Sequence, residues 1–236
     1  MTRIDIDVDD RETLALWEAL GGLAAELPGD WILIGGLMVQ LHALERGARD
    51  VRVTADIDVL GQARPPGALD AIDEALLAEG FEVAGPDVDG YAHRYRRAGL
   101  VVDVLSPDGI RPPASIGGLK AVGVPGGTQA LARAESVTVS VGGREFSLRR
   151  PTLLGAILIK ARSLMTHADP EAQREDLLRL LAMVEDPRAL AADLRTTERR
   201  WLRDAEARLA FDSYTTLDEP TVRLAAQAFR LLVIRR

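Results

Sequence analysis

The stretch TADIDVLG, residues 54–61, alternates polar and apolar side chains, and no other segment limits the fold as strongly. On a strand, residues two apart share a face, so Thr54, Asp56 and Asp58 line one side while Ala55, Ile57 and Val59 take the other. The apolar side has to be buried, yet carboxylates beside a core are costly unless paired or bound to a cation. A further acidic residue, Asp103, lies in LVVDVLS, where Val101 and Leu105 share its face and Val102 and Val104 take the other. If the two strands are neighbours, three carboxylates meet at one place.

The rest of the chain supplies elements on which such strands can sit. Asp10 is a good N-cap for DRETLALWEALGGLAAEL, where Leu14, Trp17, Leu20 and Leu23 recur at helical spacing. WILI is a short apolar strand that runs into Gly35 and Gly36, and LMVQLHALERG then has helical periodicity with a stop at Gly47. After TADIDVLG come a helix in PPGALDAIDEALLAEG and a strand in FEVAG. YAHRYRRAGLVVDVLS reads as a hairpin turning at Ala98 and Gly99. The segment from Pro107 to Gly127 is rich in glycine and proline and is predicted to be loop. A short helix, TQALARAE, and a hairpin turning at Gly142 and Gly143 follow. Beyond Pro151 leucine, alanine and arginine dominate. The prediction is a mixed α/β core over residues 1–150 and a helical C-terminal domain over 151–236.

Composition excludes some chemistries. There is no cysteine and there are only three histidines, His42, His93 and His167, far apart in the chain, so thiolate metal sites and disulfides are ruled out and a zinc centre is not expected. Any catalytic metal is then a hard, oxygen-bound ion. A net charge of −7 argues against a dedicated non-specific nucleic-acid binder, although HRYRR and the C-terminal arginines offer local basic patches. The acidic, polar start and the absence of a long apolar run predict a soluble cytoplasmic protein with no membrane span.

The glycine pair and the carboxylates complement each other. Glycines between a strand and a helix let backbone approach a ligand, and the helix start offers N–H groups and a positive dipole end to phosphate oxygens. The Cα atoms of Asp56 and Asp58 lie roughly 6.6 Å apart at ordinary strand rise, which lets both carboxylates converge on two ions about 3.5–4 Å apart. With Asp103 they form the set of hard ligands that holds magnesium together with substrate phosphates, and one of the three could act as base on an incoming hydroxyl.

The order ILIGG, RVTADIDVL, VVDVL resembles the nucleotidyltransferase superfamily: an apolar strand, Gly-Gly or Gly-Ser, a helix, Asp-x-Asp and a later Asp. More narrowly, Arg52, Thr54, Asp56 and Asp58 spell an R-x-T-x-D-x-D pattern similar to the AbiEii-like branch, which includes toxins of bacterial toxin–antitoxin systems. The matching spans about residues 31 to 181. The resemblance implies a nucleotidyltransferase-like mixed sheet flanked by helices, with two Mg2+ ions on Asp56, Asp58 and Asp103 and a nucleoside triphosphate against Gly35 and Gly36. It also implies that Lys160, in PTLLGAILIKARSL, contacts the nucleotide and that Asp176, in REDLLRLL, is the later aspartate. The chain departs from the pattern where EAQRED has Gln173 at a usually acidic position, and its Gly/Pro-rich insertion before residue 130 is long.

The implied acceptor is RNA, such as a tRNA 3′ end, or a protein, with an antitoxin as partner. A small-molecule acceptor of the aminoglycoside type fits the acidic charge equally, and an inactive nucleotide-binding module is the rival from another class. Residue by residue, Lys160 has the alternative of snorkelling to the surface, Asp176 of pairing with Arg179 one turn on, and Thr54 and Arg52 of supporting the strand. Arg162 faces elsewhere on its helix.

Overall fold

The computed structural model describes residues 2–7, 10–28, 30–48, 54–64, 67–85, 91–166, 170–212 and 216–234. In chain order the elements are β1 (Thr2–Ile6), α1 (Arg11–Glu26), β2 (Trp31–Ile34), α2 (Gly35–Glu45), β3 (Asp56–Gly61), α3 (Ala68–Ala78), β4 (Glu82–Val83), β5 (Tyr91–Ala92), β6 (Arg94–Arg97) and β7 (Leu100–Pro107). They continue with β8 (Ser115–Ile116), β9 (Leu119–Ala121), β10 (Gly123–Val124), α4 (Gly127–Ala132), β11 (Ala134–Val141) and β12 (Arg144–Pro151). Among the described residues, five helices follow: α5 (Leu153–Thr166), α6 (Pro170–Ala182), α7 (Pro187–Ala192), α8 (Thr196–Leu209) and α9 (Glu219–Val233).

The main sheet is mixed, in the order β2-β3-β7-β6-β4, with β10 added beside the end of β7. β2 runs antiparallel to β3, β3 runs parallel to β7, and β6 returns antiparallel to β7. Alternation in the sequence becomes two-sidedness here. Ile57, Val59, Val102 and Val104 are fully buried on the core side, while Asp56 and Asp58 on the other side keep partial exposure. Burying each of those aliphatic side chains stabilises the fold by about 1.5–3 kcal/mol, so the register that sends the aspartates outward is strongly specified.

A second sheet, β1-β11-β12, is covered by α1, whose Trp17 and Leu20 are fully buried. Asp10 caps α1 as its sequence predicts, accepting from the Thr13 N–H at 2.7 Å. β1 is absent from the sequence reading, which took the N-terminus only for its charge. Its parallel partner β11 lies far along the chain, in the register Ile4 with Val139, and such a pairing leaves no local signal.

The expected loop between Pro107 and Gly127 is a correction. It contains β8, β9 and β10, two or three residues each, with β8 and β9 joining β5 in a small third sheet. Glycine and proline at high density hide strands this short, because propensity is read over longer windows. The α2 helix also begins two residues earlier than LMVQLHALE implies, at Gly35 itself.

Among the described residues, every element after Pro151 is a helix. The α5 helix is buried along most of its length, including Ile157, Leu158 and Ile159, and packs on α4, α6 and α8. α6 also reaches α2, so the helices and the main sheet share one hydrophobic core. Among the described residues, no helix is long and apolar enough to cross a membrane.

Candidate active site

β2 ends at Ile34 and passes into α2 without a loop, which is possible because Gly35 takes a φ of +70°. A Cβ on Gly35 would lie 1.7 Å from Asp58 Oδ2, so the carboxyl group of Asp58 rests directly on the glycine backbone. No side chain caps the start of α2, which begins at the glycine on which that carboxylate rests.

Strand register does the rest. Ile34, Asp58, Asp103 and Arg94 form one row across β2, β3, β7 and β6. Asp56 lies two residues before Asp58 on the same face, and Thr54 Oγ1 donates to its Oδ1 at 2.8 Å. One carboxylate oxygen from each of Asp56, Asp58 and Asp103 lies within 4.8 Å of the others. Asp103 is buried, and the Arg94 guanidinium grips it at both oxygens, Nε to Oδ1 at 2.8 Å and Nη2 to Oδ2 at 2.7 Å. The pKa of Asp58 is pushed up to about 7, chiefly by desolvation and then by the charge of Asp56, with Asp103 adding to the rise and Lys160 and Arg94 opposing it. Three carboxylates gathered this closely favour any cation placed among them. With oxygen donors only, the cluster fits a hard divalent ion such as magnesium.

Lys160 and Asp176 meet each other. Lys160 Nζ donates to Asp176 Oδ2 at 2.7 Å and to Gln173 Oε1 at 3.1 Å, with both charged side chains buried. Lys160 and Gln173 line the cleft over the carboxylates, whereas Asp176 lies behind them, outside the lining. The cleft has a volume of about 570 Å³. Its floor is the aspartates with Gly35 and Gly36; α5 with the start of α6 forms one wall, and Val122, Val124 and Pro125 form another. Of the residues singled out in the sequence, Gly35, Gly36, Thr54, Asp56, Asp58, Asp103 and Lys160 come together around this space. Arg52 and His167 lie outside the described residues.

Sequence reasoning missed Arg94, His93 and the 122–125 segment. Arg94 was legible: a two-residue turn at Ala98 and Gly99, both with positive φ, pairs residue 97 with 100 and, counting outward, 94 with 103. The 122–125 wall had no such signal. His42 is buried away from the cleft, donating from Nε2 to the Pro151 carbonyl at 3.0 Å, and burial followed by the charge of Arg150 pushes its pKa down to about 3. Among the described residues, several arginines of the basic runs and of α5 are engaged within the fold. Arg97 lies over Phe81 at 4.4 Å and pairs with Glu79, Arg199 donates to the Leu232 and Ala191 carbonyls, and Arg162 stacks on Trp201 at 4.9 Å.

Sheet order, the strand-to-helix glycine turn and the acidic cluster together define a nucleotidyltransferase-like fold with a possible metal site on Asp56, Asp58 and Asp103. Among solved structures, the chain is similar to an antigenic nucleotidyltransferase-like protein from Paracoccidioides brasiliensis, with a TM-score of 0.53 and 16% identity over 92% of this chain and 93% of that one. No family model matches the chain, and no curated protein matches it by sequence.

Proposed function

We propose that this chain is a magnesium-dependent nucleotidyltransferase of the AbiEii-like kind, which moves a nucleoside monophosphate from a nucleoside triphosphate to an acceptor hydroxyl. The observation that carries the reading is the convergence of Asp56, Asp58 and Asp103 in one cleft at the open N-terminus of α2. Two magnesium ions held by these aspartates would neutralise triphosphate charge and steady the attacking and leaving oxygens.

The chain's own residues set the geometry. Gly35 and Gly36 seat the phosphates against backbone N–H groups, and a side chain at position 35 would collide with the Asp58 carboxylate. Lys160 has three N–H donors, two of them engaged by Asp176 and Gln173, which leaves the third for a phosphate oxygen. Asp176 serves the nucleotide through Lys160, holding its ammonium at the cleft wall. Thr54 fixes the rotamer of Asp56. Asp103 assists in taking the acceptor proton through the lone pairs that Arg94 leaves open. As the acceptor oxygen forms its bond to the α-phosphorus, the bond from that phosphorus to the bridging oxygen breaks and pyrophosphate leaves.

For the acceptor we propose RNA, such as a tRNA 3′ end, or a protein, with the chain acting as the toxin of a toxin–antitoxin pair. A small-molecule acceptor is the second reading, favoured by a cleft of about 570 Å³ and a net charge of −7. Residues 1–150 would form the catalytic core and residues 151–236 the helical domain that contributes Lys160. The test is incubation with magnesium, each α-labelled nucleoside triphosphate and a bacterial extract, beside Asp58→Ala, followed by separation of RNA, protein and small molecules. Label in one fraction that is lost with the variant supports transfer and names the acceptor class. Magnesium-dependent nucleotide binding with no label in any fraction points to an inactive nucleotide-binding module.

A further inference from the structure

We propose that Arg94 is a positioning residue of this site, acting through Asp103: it fixes the direction in which the third carboxylate can bind a cation and holds down the charge of the whole cluster. The inference rests on the transferase reading above, and four observations carry it.

The first is geometric. Arg94 uses Nε and Nη2 in a two-toothed grip on Asp103, which occupies one lone pair on each oxygen and locks the carboxylate plane. A divalent ion can then reach Asp103 only at a lone pair that remains, so Asp103 is a one-oxygen ligand of fixed orientation. The second is that Arg94 lines the cleft with its side chain 38% exposed, while Nη1 makes no hydrogen bond to any described residue. A pair that merely fastened β6 to β7 has little to add here. Those strands are already joined by four residue pairs, and on the opposite face Tyr95 Oη donates to buried Asp73 at 2.6 Å.

The third is reach: the charge of Arg94 acts on Asp56 and Asp58 as well as on Asp103. The fourth is the charge count. Lys160 divides its charge between Asp176 and Asp58, whereas Arg94 faces all three aspartates. With all three ionised, the aspartates and Arg94 together carry −2, the charge that one divalent ion cancels; without Arg94 the aspartates carry −3.

The consequence is a split between affinity and geometry. Removing Arg94 strengthens cation binding through charge and weakens productive binding through lost orientation. A purely structural ion pair predicts the opposite, because loosening β6 against β7 scatters the ligands and weakens the metal.

The experiment is Mn2+ titration of the full chain without nucleotide, by calorimetry and by the paramagnetic signal of free Mn2+, for the native protein, Arg94→Ala and Arg94→Lys, with thermal melts to confirm folding. Arg94→Ala is expected to bind Mn2+ roughly tenfold more tightly, a conservative fraction of the Coulomb effect of one charge at this range. Arg94→Lys, which keeps the charge and loses the two-toothed grip, is expected to stay within about twofold of native in Mn2+ affinity while magnesium-dependent nucleotide affinity falls about tenfold. If Arg94→Ala fails to fold, Arg94→Gln replaces it with the same expectation. Unchanged or weaker Mn2+ binding in the charge-removing variant overturns the role of Arg94 and leaves the transferase reading standing. A native protein that binds no Mn2+ overturns the metal site itself, and this inference with it.

Discussion

Two groups of charged side chains lie at the edge of the core, and they are built on opposite principles. At the junction of β12, α2 and β11, Arg150 is fully buried between Glu45 and Glu135, and Arg46 adds a second cation on Glu45 at 3.1 Å. Two positive charges meet two negative ones. Around β3 and β7, three carboxylates meet Arg94, and the remaining negative charge faces an open cleft. In the first group the charges are matched within the fold. The second keeps a surplus that stability gives no reason to keep, and a surplus beside a helix N-terminus points to a ligand.

Asp56→Ala and Asp58→Ala should break the comparison most clearly. Each is expected to lower nucleotidyl transfer by about 10²–10³-fold or more, the scale for removing one electrostatic element of a phosphoryl-transfer site, with the fold intact by circular dichroism. Arg150→Met should do the reverse. Glu45, which keeps Arg46, and Glu135 are both part-exposed, so losing their charged hydrogen bonds to Arg150 costs about 1.5–3 kcal/mol, read as a lower denaturant midpoint, while Mn2+ affinity stays at its native value.

Lys160 sharpens the distinction, because it belongs to a balanced pair and also reaches the cleft. Lys160→Met takes the ammonium away from the buried Asp176 carboxylate and should destabilise by about 3 kcal/mol. Lys160→Met with Asp176→Leu should recover most of that stability and none of the nucleotide affinity. If the double variant binds nucleotide as well as native, Lys160 is architecture only.

The smallest expected effect is on pH. Asp58 has a folded pKa of about 7, raised above that of an unfolded carboxylate, so its contribution to stability is full at low pH and is lost as pH rises through 7. In chelator, the melting temperature of Asp58→Asn minus that of native should therefore grow from pH 5 to pH 8, by a few degrees. Magnesium at pH 8 should erase the difference. A gap that does not change with pH would place Asp58 in the balanced class with Glu45.

Much of the site was legible before the fold. The period of two in TADIDVLG separated Asp56 and Asp58 from Ile57 and Val59, and the turn at Ala98 and Gly99 contained the pairing of Arg94 with Asp103, although that pairing was not drawn from it. Ile4 opposite Val139 was hidden because parallel pairing across a long chain separation has no local pattern. The strands inside 107–127 were hidden because two-residue elements are held by their neighbours and not by their own propensity.

The sequence by itself determined which residues face which way, where the glycine turn falls, and that the chemistry on offer is carboxylate and cation without thiol. These are local properties, set by backbone geometry and side-chain type. Only the tertiary structure decided that Asp58 and Asp103 stand in one row, that Asp58 rests on the backbone of Gly35, and that Lys160 shares its ammonium with Asp176 and Gln173 at the cleft wall. Those relations depend on strand order and helix packing, which the whole core settles at once by burying its apolar faces against one another.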